Sequence, residues 1–178
     1  MWDQLSKFKY DLLRLSGRNK LRILILWLNR SFWAIFIYRL ERGMFLTFGN
    51  VYSVIRIPFL PVLKFFEVFS NAEINYRADI GKGFLILHSA LGIVITGYAQ
   101  IGDDLTLTGG NVIGSKDSGK DGDILLGNNC FLGANAVILG PLKLADNIKV
   151  GASACVVKSC LTDGSALGGV PAKEIIKQ

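Results

Sequence analysis

An aliphatic residue returns every six positions between Ile74 and Val156. The positions fall into three runs: Ile74, Ile80 and Ile86; Ile95, Ile101, Leu107 and Ile113; Leu126, Leu132, Ile138, Leu144, Val150 and Val156. A period of six fits neither an amphipathic helix nor a simple alternating strand, so it indicates an internal repeat. The alternative, an ordinary sandwich of short strands, has no reason to hold this phase.

Each repeat unit has its own internal pattern. The residue two places before the aliphatic one is often small or apolar, and the residue after it is often Gly. These positions are Ala72, Ala78, Ala99, Cys130, Ala136 and Ala154, and Gly81, Gly102, Gly114, Gly127, Gly133 and Gly151. The pattern predicts one short strand per unit and a corner whose backbone angles suit Gly, with Asn75, Asn129, Asn135 and Asn147 as further left-handed residues. Three strands would form one triangular coil, and stacked coils would bury a continuous apolar column.

Two breaks interrupt the six-residue spacing. The first adds three residues between Ile86 and Ile95, around residues 87–92, and the second adds seven between Ile113 and Leu126, around residues 115–122. Insertions in a solenoid commonly lie on one face, which is often the binding surface. We therefore expect both segments to border the functional site.

Residues 1–70 differ from the repeat in charge and pattern. They hold eleven Lys/Arg against four Asp/Glu, a balance of +7, whereas residues 71–178 hold nine against ten, a balance of −1. Residues 21–40 and 51–69 approach the length of a membrane span, but charged residues and prolines interrupt them. We predict helices that cap the solenoid, contact another subunit or lie on an anionic membrane surface. We expect neither a signal peptide nor nucleic-acid binding, because no cleavable leader and no known binding motif is recognisable.

Composition sets the outer limits. A chain of 178 residues with 51% hydrophobic content is a folded domain with room for a smaller appendage. Cys130, Cys155 and Cys160 have no metal-ligand spacing, and the inward position of Cys130 favours a packing role. These cysteines suggest a reducing compartment, the cytoplasm, with the inner face of the membrane as a further possibility.

His88, the one histidine of the sequence, lies on the first break. A single histidine is more often structural than catalytic. Residues 86–95, with the sequence ILHSALGIVI, nevertheless resemble the segment around the active-site histidine of the hexapeptide-repeat acyltransferases. The resemblance is to the serine acetyltransferase branch and to the related sugar and capsule O-acetyltransferases. It covers roughly the last hundred residues and implies a mainly β fold, a left-handed parallel β-helix, with His88 as the catalytic residue.

The implied chemistry suits an imidazole. A neutral His88 would take the proton of an alcohol as that alcohol attacks the thioester carbonyl of acetyl-CoA, and would return the proton to the departing thiolate. Backbone N–H groups at a corner could stabilise the oxyanion. Transfer would run directly in a ternary complex, so no covalent acyl-enzyme is needed.

The end of the chain carries the second part of the resemblance. Residues 132–140 and 150–158 are similar to the last coils of that family, and the segment GGVPAK at 168–173 is similar to its closing G-x-P-A motif. In the family, the CoA arm lies in a groove between subunits. The resemblance therefore implies a homotrimer in which Gly133, Ala134 and Ala152 line the pantetheine arm and Lys158 and Lys173 meet its phosphates.

Three departures bear on the acyl acceptor. Leu87 stands where serine acetyltransferases carry an Asp before the histidine, Asp123 is the nearest equivalent of a second His, and Glu73 replaces an Asp that helps to hold the amino acid. These changes favour a hydroxyl of a sugar or surface-polysaccharide precursor, with residues 115–122 shaping its site. Glu73 and Asp123 are the candidates that orient His88 or bind the acceptor. Serine as the acceptor and a non-catalytic scaffold remain the alternatives.

These arguments divide the chain into three parts. They are a helical region (residues 1–70), a β-helix acetyltransferase domain (71–160) and a C-terminal tail (161–178). We expect no metal, since one histidine per chain does not match the three-histidine zinc site of hexapeptide carbonic anhydrases. We also expect no nucleotidyltransferase, because no Rossmann-like domain precedes the repeat.

Overall fold

The computed structural model describes residues 1–17, 20–116 and 119–175. The first seventy residues are helical. The α-helices are α1 (Trp2–Ser16), α2 (Arg30–Phe48), α3 (Tyr52–Ile55) and α4 (Leu60–Ser70), and 3₁₀ segments lie at Lys20–Leu28, Gly49–Val51 and Ile57–Phe59. Asn29 caps α2 with its side chain, which accepts a hydrogen bond from Ser31 N at 2.8 Å.

Fifteen short strands follow within the described residues. They are β1 (Ala72–Ile74), β2 (Asp79–Ile80), β3 (Leu85–Ile86), β4 (Ile93–Ile95), β5 (Ala99–Ile101), β6 (Thr106–Leu107), β7 (Asn111–Ser115), β8 (Ile124–Leu126), β9 (Phe131–Leu132), β10 (Val137–Gly140), β11 (Leu142–Leu144), β12 (Lys149–Val150), β13 (Cys155–Val156), β14 (Ala166–Gly169) and β15 (Ala172–Glu174). A 3₁₀ turn at Ser89–Leu91 lies between β3 and β4.

The strands form three parallel sheets, which are the faces of a triangular solenoid. The first face is β1-β4-β7-β10-β13, the second is β2-β5-β8-β11, and the third is β3-β6-β9-β12-β14 with β15 added antiparallel. Successive strands therefore visit the three faces in turn, and the chain climbs one coil with every three strands. We name the corners in chain order: the first corner joins the first and second faces, the second corner joins the second and third, and the third corner leads back to the first face.

The apolar column inside the coils consists of the residues that the six-residue period picked out. Ile80, Ile86, Leu107, Ile113 and Ile138 are fully buried, and the other members of the period are nearly so, apart from the partly buried Ile74 at its start. Each strand points one aliphatic residue inward, and the coils above and below cover it, so no coil has to bury its own apolar surface alone. The predicted hexapeptide solenoid is confirmed.

The corners differ from the prediction in two ways. The glycines that follow the aliphatic residues do not adopt left-handed angles; at Gly81, for example, a Cβ would lie 2.6 Å from Asp103 N of the next coil, so close coil contact requires Gly there. The left-handed residue comes two places later, as at Asn129, Asn135 and Asn147. Asn75 lies at the first corner and is not left-handed. Instead its side chain accepts a hydrogen bond from Arg77 N at 2.9 Å.

The helices cover the open edge of the first coil through buried polar side chains. Arg39 donates to the carbonyl oxygens of Ile80 (2.7 Å) and Gly81 (2.6 Å), and it forms an ion pair with Asp11 at 2.8 Å. Asp11 in turn accepts a hydrogen bond from Phe84 N at 2.8 Å. Backbone groups that would be unpaired at the end of a sheet thus receive partners from α1 and α2.

Tyr38 serves the same edge. Its hydroxyl donates to Ala78 O at 2.9 Å and accepts from Ile80 N at 3.1 Å, and burial raises the pKa of Tyr38 to about 12. The hydroxyl therefore stays protonated and keeps both bonds across the physiological pH range. These contacts place α1 and α2 against the open edge of the first coil, which is the capping position among the three considered for residues 1–70.

The breaks in the repeat lie at different corners. Residues 87–92 follow β3 and occupy the third corner, whereas the described residues of the second break, 116 and 119–123, follow β7 and lie at the first corner. The expectation that both insertions share one face within the chain is therefore wrong. At the other end of the chain, β14 and β15 continue the third face through residues that the sequence pattern left as a tail.

Candidate active site

His88 lies just after β3, at the start of the third-corner insertion. Its backbone N–H donates to Thr108 O of the next coil at 3.0 Å, and its carbonyl oxygen accepts from Leu91 N at 3.2 Å. The next coil and the following 3₁₀ turn therefore fix its main chain. The side chain is exposed. Among the residues that the structure describes, the imidazole has no hydrogen-bond or ion-pair partner.

Asn71, the residue that ends α4, ties this insertion to the helices. It has a left-handed backbone (φ 53°), its side chain donates to Ala90 O at 3.0 Å, and its carbonyl oxygen accepts from Ile93 N at 3.0 Å. The two bonds hold the insertion at its middle and at its exit into β4. Sequence reasoning missed this role, although an Asn directly after a helical pattern is a known termination signal.

Position 109 of the next coil leaves no space for a side chain against His88. A Cβ on Gly109 would overlap the His88 carbonyl oxygen, and Gly109 has φ 136°, which L residues rarely adopt. Gly110 N donates to Gly92 O at 2.7 Å and closes the insertion. The position of His88 therefore depends on this Gly-Gly pair.

Two polar groups support the same corner from inside. Asn111 is buried; its side chain donates to Gly133 O at 2.7 Å and accepts from Gly109 N at 2.8 Å. The Thr108 hydroxyl is buried without a hydrogen-bond partner among the described residues, next to the carbonyl that receives His88 N–H. The sequence offered one signal for Asn111: it is a polar residue at an inward position of the repeat, two places before Ile113.

The residues predicted to line the pantetheine arm lie on the same corner as His88, two and three coils further on. Ser153 N donates to Ala134 O at 2.8 Å, and a Cβ on Gly133 would lie 2.6 Å from Ala152 N. Within the described part of the chain, the N–H groups of Ala134 and Ala152 have no acceptor. The corner thus presents His88 at one end and unpaired amide donors along its length.

The predicted phosphate-binding lysines are separated from each other. Lys173 lies on β15, paired in register with Gly168 at the third-face edge of the last coil. Lys158 follows β13 and lies at the first corner. A single chain therefore places Lys173 on the third face, next to the predicted CoA corner, while Lys158 belongs to another corner.

A cavity of about 370 Å³ borders the insertion at the third corner. Its walls include Glu67 and Val68 of α4, Glu73 of β1, and Leu91 of the insertion. Glu73 points outward from the first face, opposite Val94 in register. Glu73 thus lies across the cavity from the third-corner insertion, and its predicted role toward His88 or the acceptor stays a prediction.

Asp123 does not join this group within one chain. It lies at the first corner, where its carboxylate accepts a hydrogen bond from Lys120 N at 2.7 Å and its own N–H donates to Lys120 O at 3.0 Å. Within one chain Asp123 and His88 lie on different corners, so the prediction that Asp123 orients His88 or binds the acceptor requires a second subunit. Of the predicted loop at 115–122, Asp117 and Ser118 lie outside the described residues.

Comparisons with known proteins identify the family. No family model matches the chain. Over 164 residues the sequence is 34% identical to the serine acetyltransferase of Helicobacter pylori, which covers 91% of this chain and 90% of that protein. The chain belongs to the serine acetyltransferase family. Membership confirms the prediction of an acyltransferase that uses acetyl-CoA and leaves the scaffold alternative without support.

Solved members of this family share the fold. Soybean serine acetyltransferase has a TM-score of 0.78 at 25% identity, with 98% of this chain and 70% of that chain covered. A complex of the Brucella abortus enzyme with coenzyme A has a TM-score of 0.77 at 22% identity, with 97% and 68% covered. The chain spans about two thirds of these solved chains. The predicted left-handed β-helix with an N-terminal helical region is confirmed.

The described residues hold no group of three His, Cys, Asp or Glu side chains that could bind a metal ion.

Burial raises the pKa of the Cys130 thiol to about 11, so this cysteine is protonated at neutral pH inside the column.

Proposed function

We propose that this chain transfers an acetyl group from acetyl-CoA to the hydroxyl of serine. The single observation that carries the proposal is the 34% identity to a serine acetyltransferase over 90% of that protein's length. The site supports it with an exposed imidazole, a third corner with unpaired amide donors, and a carboxylate, Glu73, that could receive the ammonium group of an amino acid.

The proposed reaction is a direct displacement. His88 takes the proton of the acceptor hydroxyl while the oxygen attacks the thioester carbonyl; the new ester bond forms, the carbon–sulfur bond breaks, and the proton passes to the leaving thiolate. The pantetheine amides would accept hydrogen bonds from Ala134 N and Ala152 N, and Lys173 would meet a phosphate. In this proposal the thioester would lie at the end of the corner occupied by His88.

A homotrimer is part of the proposal. Lys158, Lys120 and Asp123 lie at the first corner, away from His88. A neighbouring subunit that packs its first corner against the third corner would bring its own Lys158, Lys120 and Asp123 to the site. The residues separated within one chain would then form one composite centre.

A sugar hydroxyl is the second candidate acceptor, and the charge of the cavity favours it. Glu67 and Glu73 are the charged residues among those that line the cavity, and no Lys, Arg or His lines it. The carboxylate of serine would therefore need a cation from a neighbouring subunit, whereas a neutral sugar would not. Carboxylates also accept hydrogen bonds from sugar hydroxyls.

An acceptor panel decides between the two. The purified protein would receive acetyl-CoA with serine or with a set of sugars and glycan fragments, and thiol release would be followed. His88→Ala should lower kcat by about 100- to 10,000-fold with an unchanged KM for acetyl-CoA, because a general base contributes that much. Lys143→Ala, an exposed change on the second face, serves as the matched control. A fully active His88→Ala variant would exclude the proposed mechanism.

Glu73→Gln reports on the acceptor itself. If Glu73 holds the ammonium group of serine, the KM for serine should rise by about 10- to 100-fold, which is the effect of losing a charged hydrogen bond. If turnover occurs with a sugar and not with serine, the serine proposal is wrong and the second candidate stands.

A further inference from the structure

The 3₁₀ segment Lys20–Leu28 exposes most of its apolar residues. Leu24 is 72% exposed and Leu28 63%, and Ile25 and Trp27 are exposed as well; within residues 21–28, Leu26 is the buried one. Contiguous apolar surface of this kind is uncommon on a protein without a partner, because each large side chain kept in water forgoes the gain of burial. We therefore expect another molecule to cover this segment.

This segment joins two further elements in one surface. The indole of Trp33 in α2 donates to Trp27 O at 2.7 Å and stacks on Phe66 of α4 at 4.5 Å between ring centroids. On α4, Phe65 and Phe69 are exposed, and their rings stack on each other at 6.3 Å. We call the exposed residues of this region the helical apolar surface: Leu24, Ile25, Trp27, Leu28, Phe65 and Phe69.

Basic residues accompany the helical apolar surface. Arg22 and Arg30 are exposed, and the Arg30 guanidinium lies 5.8 Å from the centroid of the Phe69 ring. Arg22 and Arg30 are the exposed charged residues of residues 21–40, which contain no Asp or Glu. A second copy of the same segment would bring arginines against arginines without a counter-charge, whereas a phospholipid surface offers hydrocarbon for the apolar residues and phosphate for the arginines.

We propose that the helical apolar surface binds the surface of an anionic lipid membrane, which in a bacterium would be the inner face. Leu24, Ile25 and Leu28 enter the headgroup boundary, Trp27 lies at the interface, and Arg22 and Arg30 contact lipid phosphates. This inference does not depend on which acceptor the enzyme uses.

The contacts favour binding in the membrane plane. No single helix in the described residues is long and apolar enough to cross a membrane, although Leu21–Leu28 and Arg30–Ile55, bent by 82°, together reach the required length and composition. The second member of that pair carries Tyr38 and Arg39, which bond to the backbone of the first coil. To cross the bilayer, it would have to break these buried bonds.

The helical apolar surface also lies near the candidate site. Val68, on the same helix as Phe65 and Phe69, is exposed and lines the cavity with Glu73 and Leu91. Because Val68 follows Phe65 by three positions on α4, the two side chains are neighbours on the helix surface, and a membrane bound at Phe65 would lie next to this cavity. An acceptor carried on a lipid could then reach His88 without leaving the membrane.

Vesicle flotation tests the proposal on the full chain. Vesicles of phosphatidylcholine alone would be compared with vesicles that contain a third phosphatidylglycerol, at low and high salt. We expect binding to the anionic vesicles, weaker at high salt because exposed charges are then screened. Arg22→Gln with Arg30→Gln should reduce binding by about tenfold to thirtyfold, and Leu24→Ser with Leu28→Ser by at least about tenfold.

Matched controls come from the solenoid. Leu161→Ser with Val170→Ser removes two equally exposed apolar residues, and Lys143→Gln with Lys149→Gln removes two exposed charges; neither pair should change binding. Circular dichroism checks that every variant is folded. Equal binding to neutral and anionic vesicles, or no binding, overturns the proposal. A lower molar mass of the Leu24→Ser, Leu28→Ser variant in light scattering, without vesicle binding by the unaltered chain, would assign the surface to another copy.

Discussion

The ion pair between Arg39 and Asp11 carries the cap on the first coil, and Arg39→Met tests it. The change removes donors that lie 2.8 Å from Asp11 Oδ2, 2.7 Å from Ile80 O and 2.6 Å from Gly81 O. The side chains of Arg39 and Asp11 are 3% and 1% exposed, so water cannot replace the guanidinium without opening the interface. Breaking a buried pair on one side costs about 3–5 kcal/mol. For a chain of this length that loss lowers Tm by about 6 to 20 °C.

The pH dependence separates this explanation from a simple loss of packing. Burial raises the pKa of Asp11 above its ordinary value of 3.8, and the Arg39 guanidinium opposes the rise. A carboxyl group with a raised folded-state pKa contributes stability that is fully present below the unfolded pKa and is lost as the pH rises through the folded pKa. Without Arg39 that folded pKa rises further. The stability difference between Arg39→Met and the unaltered chain should therefore be smallest near pH 4 and grow toward pH 7.

Urea unfolding followed by circular dichroism at pH 4, 5.5 and 7 measures both effects. Arg22→Met is the matched control, because Arg22 is exposed and its replacement should change the free energy of unfolding by less than about 0.5 kcal/mol. A loss below about 1 kcal/mol for Arg39→Met, or a loss that does not vary with pH, would refute the reasoning.

Two further predictions concern the third corner and the core. Gly109→Ala places a Cβ against the His88 carbonyl oxygen, so turnover of acetyl-CoA should fall by about a hundredfold. Gly114→Ala, whose nearest contact beyond its chain neighbours would be 3.8 Å, should keep the rate; equal rates in the two variants would contradict the crowding. Because burial raises the pKa of Cys130 to about 11, about a thousandth of it is thiolate at pH 8, and iodoacetamide should label the half-buried Cys155 and Cys160 before Cys130 in a mass-spectrometric time course. Labelling of Cys130 at the same rate would show that the column opens readily.

The solenoid was predictable because its physics is local and repeated. Every coil must supply an inward aliphatic residue at the same place, so the spacing alone identifies Ile80, Ile113 and Ile138 as core residues. The cap was not predictable in detail. No local pattern links Asp11 to Arg39 and to the backbone of residue 84, since these contacts depend on how the helices dock.

The site was predictable in part for the same reason. Resemblance to known acyltransferases singled out His88 and the small corner residues, and the structure places them on one edge. The separation of Asp123 from His88 was missed, although counting would have revealed it. The repeat advances one face per unit, so a break after Ile86 on the third face and a break after Ile113 on the first cannot share a corner.

The cap on the first coil has a consequence for assembly. Both ends of a parallel solenoid offer the same ladder of backbone donors and acceptors, so bare ends could join head to tail and grow into fibres. In this chain Tyr38 and Arg39 occupy the ladder at one end, and β15 crosses it antiparallel on the third face at the other. The helices thus act as a polymerisation stop. Subunits can still associate side by side into a closed ring, whereas end-to-end extension is blocked where the backbone groups of the ladder are already paired.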